Sequence, residues 1–253
     1  MENNKLKIGF FGHSIVVRES GNPREVEHFI DTVIKKTGWT LINEGVILGS
    51  EERTLYEIKK HGDNLDVAVI FHSNPLFYFS PKFPTRDFRY IGAEEVSDRY
   101  KKNVRGFDPE TQIDQGIDQE LGNEIHESFF KGLTTDRQDF INGLKYYNKY
   151  FYDHNLQLNR YYGALSLIDQ YLLYKKIPVV HSLPANKNLI PNWFSFKSGI
   201  VDNDMQLFQT SEKYKEDDHR KSSNRVNQLG NAMLCNHTLT LINQAFKKIE
   251  DEK

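Results

Sequence analysis

The sequence predicts an α/β fold built on a parallel β-sheet, from the order of its apolar runs and helical patterns. Runs at residues 6–11 and 66–71 are short, apolar and rich in β-branched or aromatic side chains, as expected of strands buried on both faces. Weaker runs of the same kind lie at residues 39–43 and 178–181. Helical patterns separate the first three runs, and strand–helix alternation within about 70 residues is typical of βαβ units.

Two helices are predicted between the first three strands. Pro23 begins the first pattern, in which apolar residues recur on one face. The second pattern carries the acidic residues 51–52 in its first turn and the lysines 59–60 in its last, with Gly62 just beyond. That charge order suits the helix macrodipole, and the glycine suits a C′ position.

A less regular stretch, residues 75–135, interrupts this rhythm with prolines, charges and scattered aromatic residues. We expect one domain spanning residues 1–253, in which residues 75–135 form an insertion that covers the site. Long helical patterns follow at about residues 136–176 and at residues 228–248.

The composition limits the classes of partner. The 253 residues suffice for a substantial core, and a net charge of −2 without a basic run gives no support for nucleic acid. No apolar run approaches the roughly 20 residues that span a bilayer, and no signal peptide is evident, so we expect a cytoplasmic protein without a membrane partner. The single cysteine, Cys235, excludes an internal disulfide and lies in an apolar helical pattern typical of the core. The oligomeric state stays open.

A repeated dipeptide points to the functional site. His-Ser follows three strand-like runs, at residues 13–14, 72–73 and 181–182. In parallel α/β sheets, ligands bind outside the carboxyl ends of the strands. We therefore expect the three pairs to lie at one edge of the sheet and to form the site there.

The residues around these strand ends suit acyl transfer. Ser14 offers a hydroxyl nucleophile in the turn after the first strand. Gly49, after the second strand, leaves its backbone N–H open to an oxyanion, and Asn74, after the third, offers a side-chain amide. A hydroxyl with several convergent donors is the arrangement that acyl transfer requires.

The same residues resemble the SGNH (GDSL-type) hydrolases. Residues 12–14 are similar to the Gly-Asp-Ser block of that family, and residues 43–49 to its second block with one extra residue. Asn74 falls where the third block has its asparagine, and residues 227–231 resemble the final block. The resemblance implies a flavodoxin-like α/β/α sandwich and a serine esterase or deacetylase that acts on a small-molecule or glycan ester.

Two positions depart from the family pattern. His13 stands where the family has an aspartate beside its nucleophile. Arg225 stands at the position of the catalytic histidine, and Ser222 or Ser223 at that of its aspartate. Because arginine stays protonated, it cannot act as a general base.

Other histidines are therefore candidates for the base. We predict His219, because the acidic residues 216–218 beside it can orient its imidazole. We expect His13, His72 and His181 to bind substrate, and the last two are the next candidates for the base. The alternatives are structural histidines in a catalytically silent protein that binds a small polar or glycan-like ligand, or a metal site formed by the three strand-end histidines. Because no HxH or HExxH spacing is present, we expect no metal. Residues 9–14 lack the lysine of a P-loop and the GxGxxG of a dinucleotide fold, so we expect no cofactor.

Overall fold

A computed structural model confirms the predicted α/β fold. It describes residues 5–12, 16, 27–45, 49–73, 77–78, 88–89, 146, 150, 153–184, 190–205 and 226–251. A mainly parallel five-stranded sheet lies between helices in a three-layer arrangement.

Four strands follow the predicted apolar runs: β1 (Lys7–Gly12), β2 (Thr40–Gly45), β3 (Val67–Phe71) and β6 (Val179–Ser182). The structure adds three strands that the sequence does not predict: β4 (Phe77–Tyr78), β5 (Phe88–Arg89) and β7 (Ile200–Asp202). The main sheet has the order β2-β1-β3-β6-β7 with every neighbouring pair parallel, while β4 and β5 pair separately. This order places the first strand inside the sheet, as in flavodoxin-like folds.

The described helices are α1 (Phe29–Thr37), α2 (Glu51–His61), α3 (His154–Lys175) and α4 (Gln228–Asp251). The His28 side chain caps α1, and Gly38 ends it in the left-handed conformation, with φ of 67°. Ser50 caps α2 by accepting the backbone N–H of Arg53 at 3.3 Å. None of the described helices combines the length and hydropathy needed to cross a bilayer.

Gly62 directly follows α2, where the sequence places it, but it does not take the left-handed conformation typical of a C′ glycine. Its φ of −55° is right-handed, and it begins a 3₁₀ turn that extends to Asn64. A Cβ at this position would clash with the Tyr171 ring and hydroxyl. Close packing against α3, and not a left-handed turn, is therefore the reason that glycine fits here.

Alternate residues of each strand face opposite helical layers. Ile8, Phe10 and Val69 pack with α1 and α4, and Cys235 is buried in the same cluster, as its sequence context predicts. Burial raises the pKa of the Cys235 thiol. On the other face, the residues packed with α2 and α3 include Phe11, Ala68, Ile70 and Val179. Each fully buried large side chain contributes about 1.5–3 kcal/mol to folding.

The chain divides into two compact units. The first comprises residues 1–88 and 160–253 and holds the five-stranded sheet, and the second comprises residues 89–159. In the second unit the rings of Tyr146 and Tyr150 stack with their centroids 6.3 Å apart. Most of the predicted insertion, 75–135, lies outside the described residues, so its position over the site and the single domain stay predictions.

Candidate functional site

The predicted site residues fall into two groups. Four of the seven, His13, Ser14, Asn74 and His219, lie outside the described residues, as do Ser222, Ser223 and Arg225. The other three, Gly49, His72 and His181, are described and buried. Gly49 directly precedes the Ser50 cap of α2, and its predicted role as an oxyanion donor stays a prediction.

The end of β1 has a backbone that only glycine suits. Gly12 has φ of +116°, and a Cβ there would clash with the carbonyl oxygen of Phe71 on β3. Beyond it, Val16 is buried and its carbonyl accepts the side-chain amide of Asn43 at 2.9 Å. Asn43 Oδ1 in turn accepts the backbone N–H of Gly45 at 3.0 Å. Asn43 therefore links the chain after β1 to the end of β2.

The histidines that follow β3 and lie on β6 meet directly. His72 Nε2 and His181 Nδ1 are 2.9 Å apart, and the ring planes differ by only 14°. Both side chains are fully buried. Because His72 and His181 continue the alternation of Ile70 and Val179, they lie on the face of the sheet that packs against α2 and α3.

A carboxylate from α2 continues this contact on the His72 side. His72 Nδ1 lies 3.0 Å from Glu51 Oε2, and Glu51 Oε1 accepts the backbone N–H of Ser73 at 2.6 Å. The hydroxyl of Tyr161 donates to the Ser73 carbonyl at 3.1 Å. Burial, followed by the charge of Glu51, raises the pKa of Tyr161 well above 10.0, which keeps this hydroxyl a donor. Ser73 is thus fixed at both backbone groups.

A second carboxylate completes the arrangement on the His181 side. His181 Nε2 lies 2.9 Å from Ser198 Oγ, which is 2.6 Å from Asp169 Oδ1. The five side chains form a continuous hydrogen-bonded series, called the buried chain below: Glu51, His72, His181, Ser198 and Asp169. All five are at most 3% exposed. Removing five polar side chains from water is costly, and the hydrogen bonds that they make with one another offset that cost.

An aromatic ring covers the two imidazoles. The Phe196 ring stacks on His181 with centroids 4.1 Å apart and lies 4.9 Å from the His72 ring. Burial, followed by electrostatic interaction with His72 and Lys248, holds the pKa of His181 well below 6.5. His181 is therefore neutral at physiological pH.

Sequence reasoning missed three members of the buried chain. In the sequence, Glu51 indicates only an acid that suits the amino end of a helix. Asp169 did leave a signal, because it is a lone acid beside Ile168 and Leu172 on the apolar face of α3. Ser198 leaves no such signal, because its loop carries no periodic pattern.

A separate histidine–carboxylate pair lies at β7. His237 Nε2 on α4 is 2.7 Å from Asp202 Oδ1, and the His237 side chain is one-third exposed. Asp202 also accepts the backbone N–H of Met205 at 2.7 Å. Since β7 is three strands from β1, the strand spacing puts this pair about 14 Å from the end of β1. The pair ties α4 to the sheet and is out of hydrogen-bond reach of that strand end.

The residues that resemble the final family block have structural partners. Asn227 Oδ1 accepts the backbone N–H of Gly230 at 2.9 Å, a capping bond at the start of α4. Asn231 Oδ1 accepts the N–H of Phe29 at 2.9 Å, and its amide donates to the Val226 carbonyl at 2.6 Å. These bonds join the first turns of α1 and α4.

Within the described residues, one group has a geometry that could hold a metal ion: Glu44, Glu57 and His61. Lys60 Nζ already lies 3.1 Å from Glu57 and 3.5 Å from Glu44, so an ammonium group already pairs with both carboxylates. In the buried chain, hydrogen bonds engage both ring nitrogens of His72 and of His181. This arrangement leaves neither imidazole a nitrogen for a metal ion.

Comparison with known proteins adds no family. No family model matches the chain, and no curated protein matches it significantly. The resemblance to SGNH hydrolases therefore rests on the sequence motifs alone.

Proposed function

We propose that the protein is a serine hydrolase that acts on an ester or acetyl group of a small molecule or glycan. The observation that carries the proposal is the buried chain beside the carboxyl ends of β1, β3 and β6. In open parallel sheets this edge is where substrates bind. Buried groups with perturbed protonation cluster at functional sites, and the lowered pKa of His181 fits that pattern.

The proposed roles follow from chain position. Ser14, two residues beyond Gly12, is the nucleophile, and Gly49 and Asn74 supply oxyanion donors. Asn74 directly follows Ser73, whose N–H is held by Glu51. The buried chain thus serves to position the segment that carries Asn74. His219 remains our candidate for the general base.

His72 and His181 contribute to this proposal by positioning. Both imidazoles are fully buried and engaged at both nitrogens, so contact with a substrate would require one of these bonds to open. Their predicted contact with substrate therefore stays a prediction, and the closed geometry favours an indirect role.

A catalytically silent protein that binds a small polar or glycan-like ligand is the second candidate. Two observations favour it: Arg225 stands at the position of the family base, and the described strand-end histidines are both engaged. The same strand edge would then bind its ligand without turnover.

Hydrolysis of short-chain p-nitrophenyl esters and acetylated sugars distinguishes the serine hydrolase from the catalytically silent binding protein. We expect Ser14→Ala to lower the rate at least about 100-fold, and His219→Ala to do the same if it is the base. Ser195→Ala, at an exposed serine, is the matched control and should keep the wild-type rate. If wild type equals Ser14→Ala on every ester, the hydrolase proposal fails. Ligand-induced thermal shifts with the same sugars then test the binding alternative.

A further inference from the structure

The donors along the buried chain can be assigned from its Asp169 end. Asp169 Oδ1 accepts the backbone N–H of Ser198 at 2.8 Å and its hydroxyl at 2.6 Å, and the backbone N–H of Lys197 lies 3.1 Å from both carboxylate oxygens. Several donors to one carboxylate stabilise its ionised form. The Ser198 proton is therefore committed to Asp169, so Ser198 Oγ must accept from His181 Nε2.

The direction continues through both imidazoles. His181 is neutral, because burial holds its pKa well below 6.5. Its one ring proton is therefore on Nε2, the nitrogen that donates to Ser198 Oγ. Its Nδ1 is then an acceptor and must receive the proton of His72 Nε2. In a neutral His72 ring, Nδ1 would then be an acceptor facing the Glu51 carboxylate at 3.0 Å. Two acceptors form no hydrogen bond without a further proton.

We infer that the buried chain holds one proton beyond those of two neutral imidazoles, a hydroxyl and two carboxylates, and that this proton lies between Glu51 and His72. A carboxylate beside a doubly protonated ring and a carboxylic acid beside a neutral ring satisfy the same count. The reverse donor order would place this proton on Asp169, and the backbone N–H groups of Lys197 and Ser198 that donate to its carboxylate oxygens oppose that. The inference stands independently of hydrolase activity.

The consequence is that the hydrogen bonds holding the polypeptide backbone at Ser73, just after β3, depend on pH. Above about pH 6.5 an unfolded chain has ionised glutamates and mostly neutral imidazoles, so the folded protein holds one proton more. The folded state is therefore favoured less as pH rises above that value, by up to tenfold in the folding constant per pH unit. Loss of the proton leaves the Glu51 carboxylate and His72 Nδ1 facing each other as two acceptors with no hydrogen between them. The same Glu51 carboxylate accepts the backbone N–H of Ser73.

Other titratable groups near Glu51, His72 and His181 do not supply this proton. From α3, Tyr161 keeps its proton because its pKa is raised, and Asp169 accepts the backbone N–H groups of Lys197 and Ser198. From α4, Lys248 donates to the carbonyl of Gly199 at 2.7 Å and acts on His181 only electrostatically.

The Glu51→Gln variant tests the inference. Its amide can donate to His72 Nδ1 while its oxygen accepts from Ser73, so the series is satisfied without the extra proton. Unfolding is measured in denaturant from pH 6.5 to 9 for wild type, for this variant and for Glu52→Gln, whose parent side chain pairs instead with Arg160. As pH rises, we expect the folding equilibrium constants of wild type and Glu52→Gln to decrease more steeply than that of Glu51→Gln, by up to tenfold per pH unit. Parallel curves for all three would overturn the inference.

A measurement on wild type keeps the test decisive if Glu51→Gln fails to fold. At pH 7.5, the ¹⁵N shifts of the His72 ring and the ¹³C shift of the Glu51 carboxyl report the protons on each group. We expect either a doubly protonated His72 or a protonated Glu51. An ionised Glu51 beside a His72 ring with a single N–H would overturn the inference.

Discussion

His72 and His181, 109 residues apart in the chain, share a 2.9 Å hydrogen bond with no exposed surface on either side chain. His72 also contacts the Glu51 carboxylate directly, and His181 is connected to the Asp169 carboxylate through the Ser198 hydroxyl. Strand ends of a parallel sheet thus deliver two polar side chains into the layer between sheet and helices.

Removal of His72 should strongly destabilise the fold. His72→Ala leaves the Glu51 carboxylate and His181 Nδ1 without their partner inside the core. We expect a loss of about 3–5 kcal/mol in unfolding free energy, measured by urea denaturation at pH 7. The matched control is His61→Ala, because His61 pairs with Glu44 at 2.7 Å while part of both side chains is exposed. That change should cost no more than about 1 kcal/mol. Equal losses would contradict the importance assigned to the buried chain.

His181 should resist protonation on the acid side. Its pKa is held below 6.5, so it contributes stability that is present above about pH 6.5 and is lost as pH falls toward its folded pKa. We expect its imidazole ¹H shifts to stay constant between pH 7.5 and 6, while urea midpoints begin to decrease below pH 6.5. A His181 titration centred at pH 6.5 would show that the ring is not held neutral by burial.

Glycine should be required at the end of β1 and dispensable within α3. Gly12→Ala puts a Cβ against the Phe71 carbonyl at a φ of +116°, and we expect it to destabilise the protein by at least about 2 kcal/mol. Gly163→Ala, where a Cβ meets no atom within 4 Å, should stabilise α3 by about 0.5–1 kcal/mol. Thermal unfolding of both variants checks this contrast. An unfolding temperature for Gly12→Ala equal to that of wild type would show that β1 ends in a different conformation.

The fold could be predicted from local patterns because strands buried on both faces leave continuous apolar runs. The runs at residues 6–11 and 66–71 became β1 and β3, and a two-sided core explains their composition. The contact of His72 with His181 follows from the same logic, since neighbouring parallel strands end at one edge.

The partners of these histidines could not be predicted in the same way. Glu51 and Asp169 are brought to the sheet by the packing of α2 and α3, and no local spacing records which strand each helix covers. Ser198 reaches His181 from a loop whose path depends on the finished fold. Gly62 is a further example, because its position in the sequence is typical of a helix cap and gives no indication of its close packing against Tyr171.

The central claim, that Ser14 is an activated nucleophile, is tested most directly by covalent labelling. A fluorophosphonate probe is incubated with the folded protein, with Ser14→Ala and with Ser195→Ala, and the modified peptide is identified by mass spectrometry. We expect one adduct on Ser14 in wild type and in Ser195→Ala, none in Ser14→Ala, and none after unfolding in urea. Folded wild type that stays unlabelled under conditions that label an established serine esterase would contradict the claim.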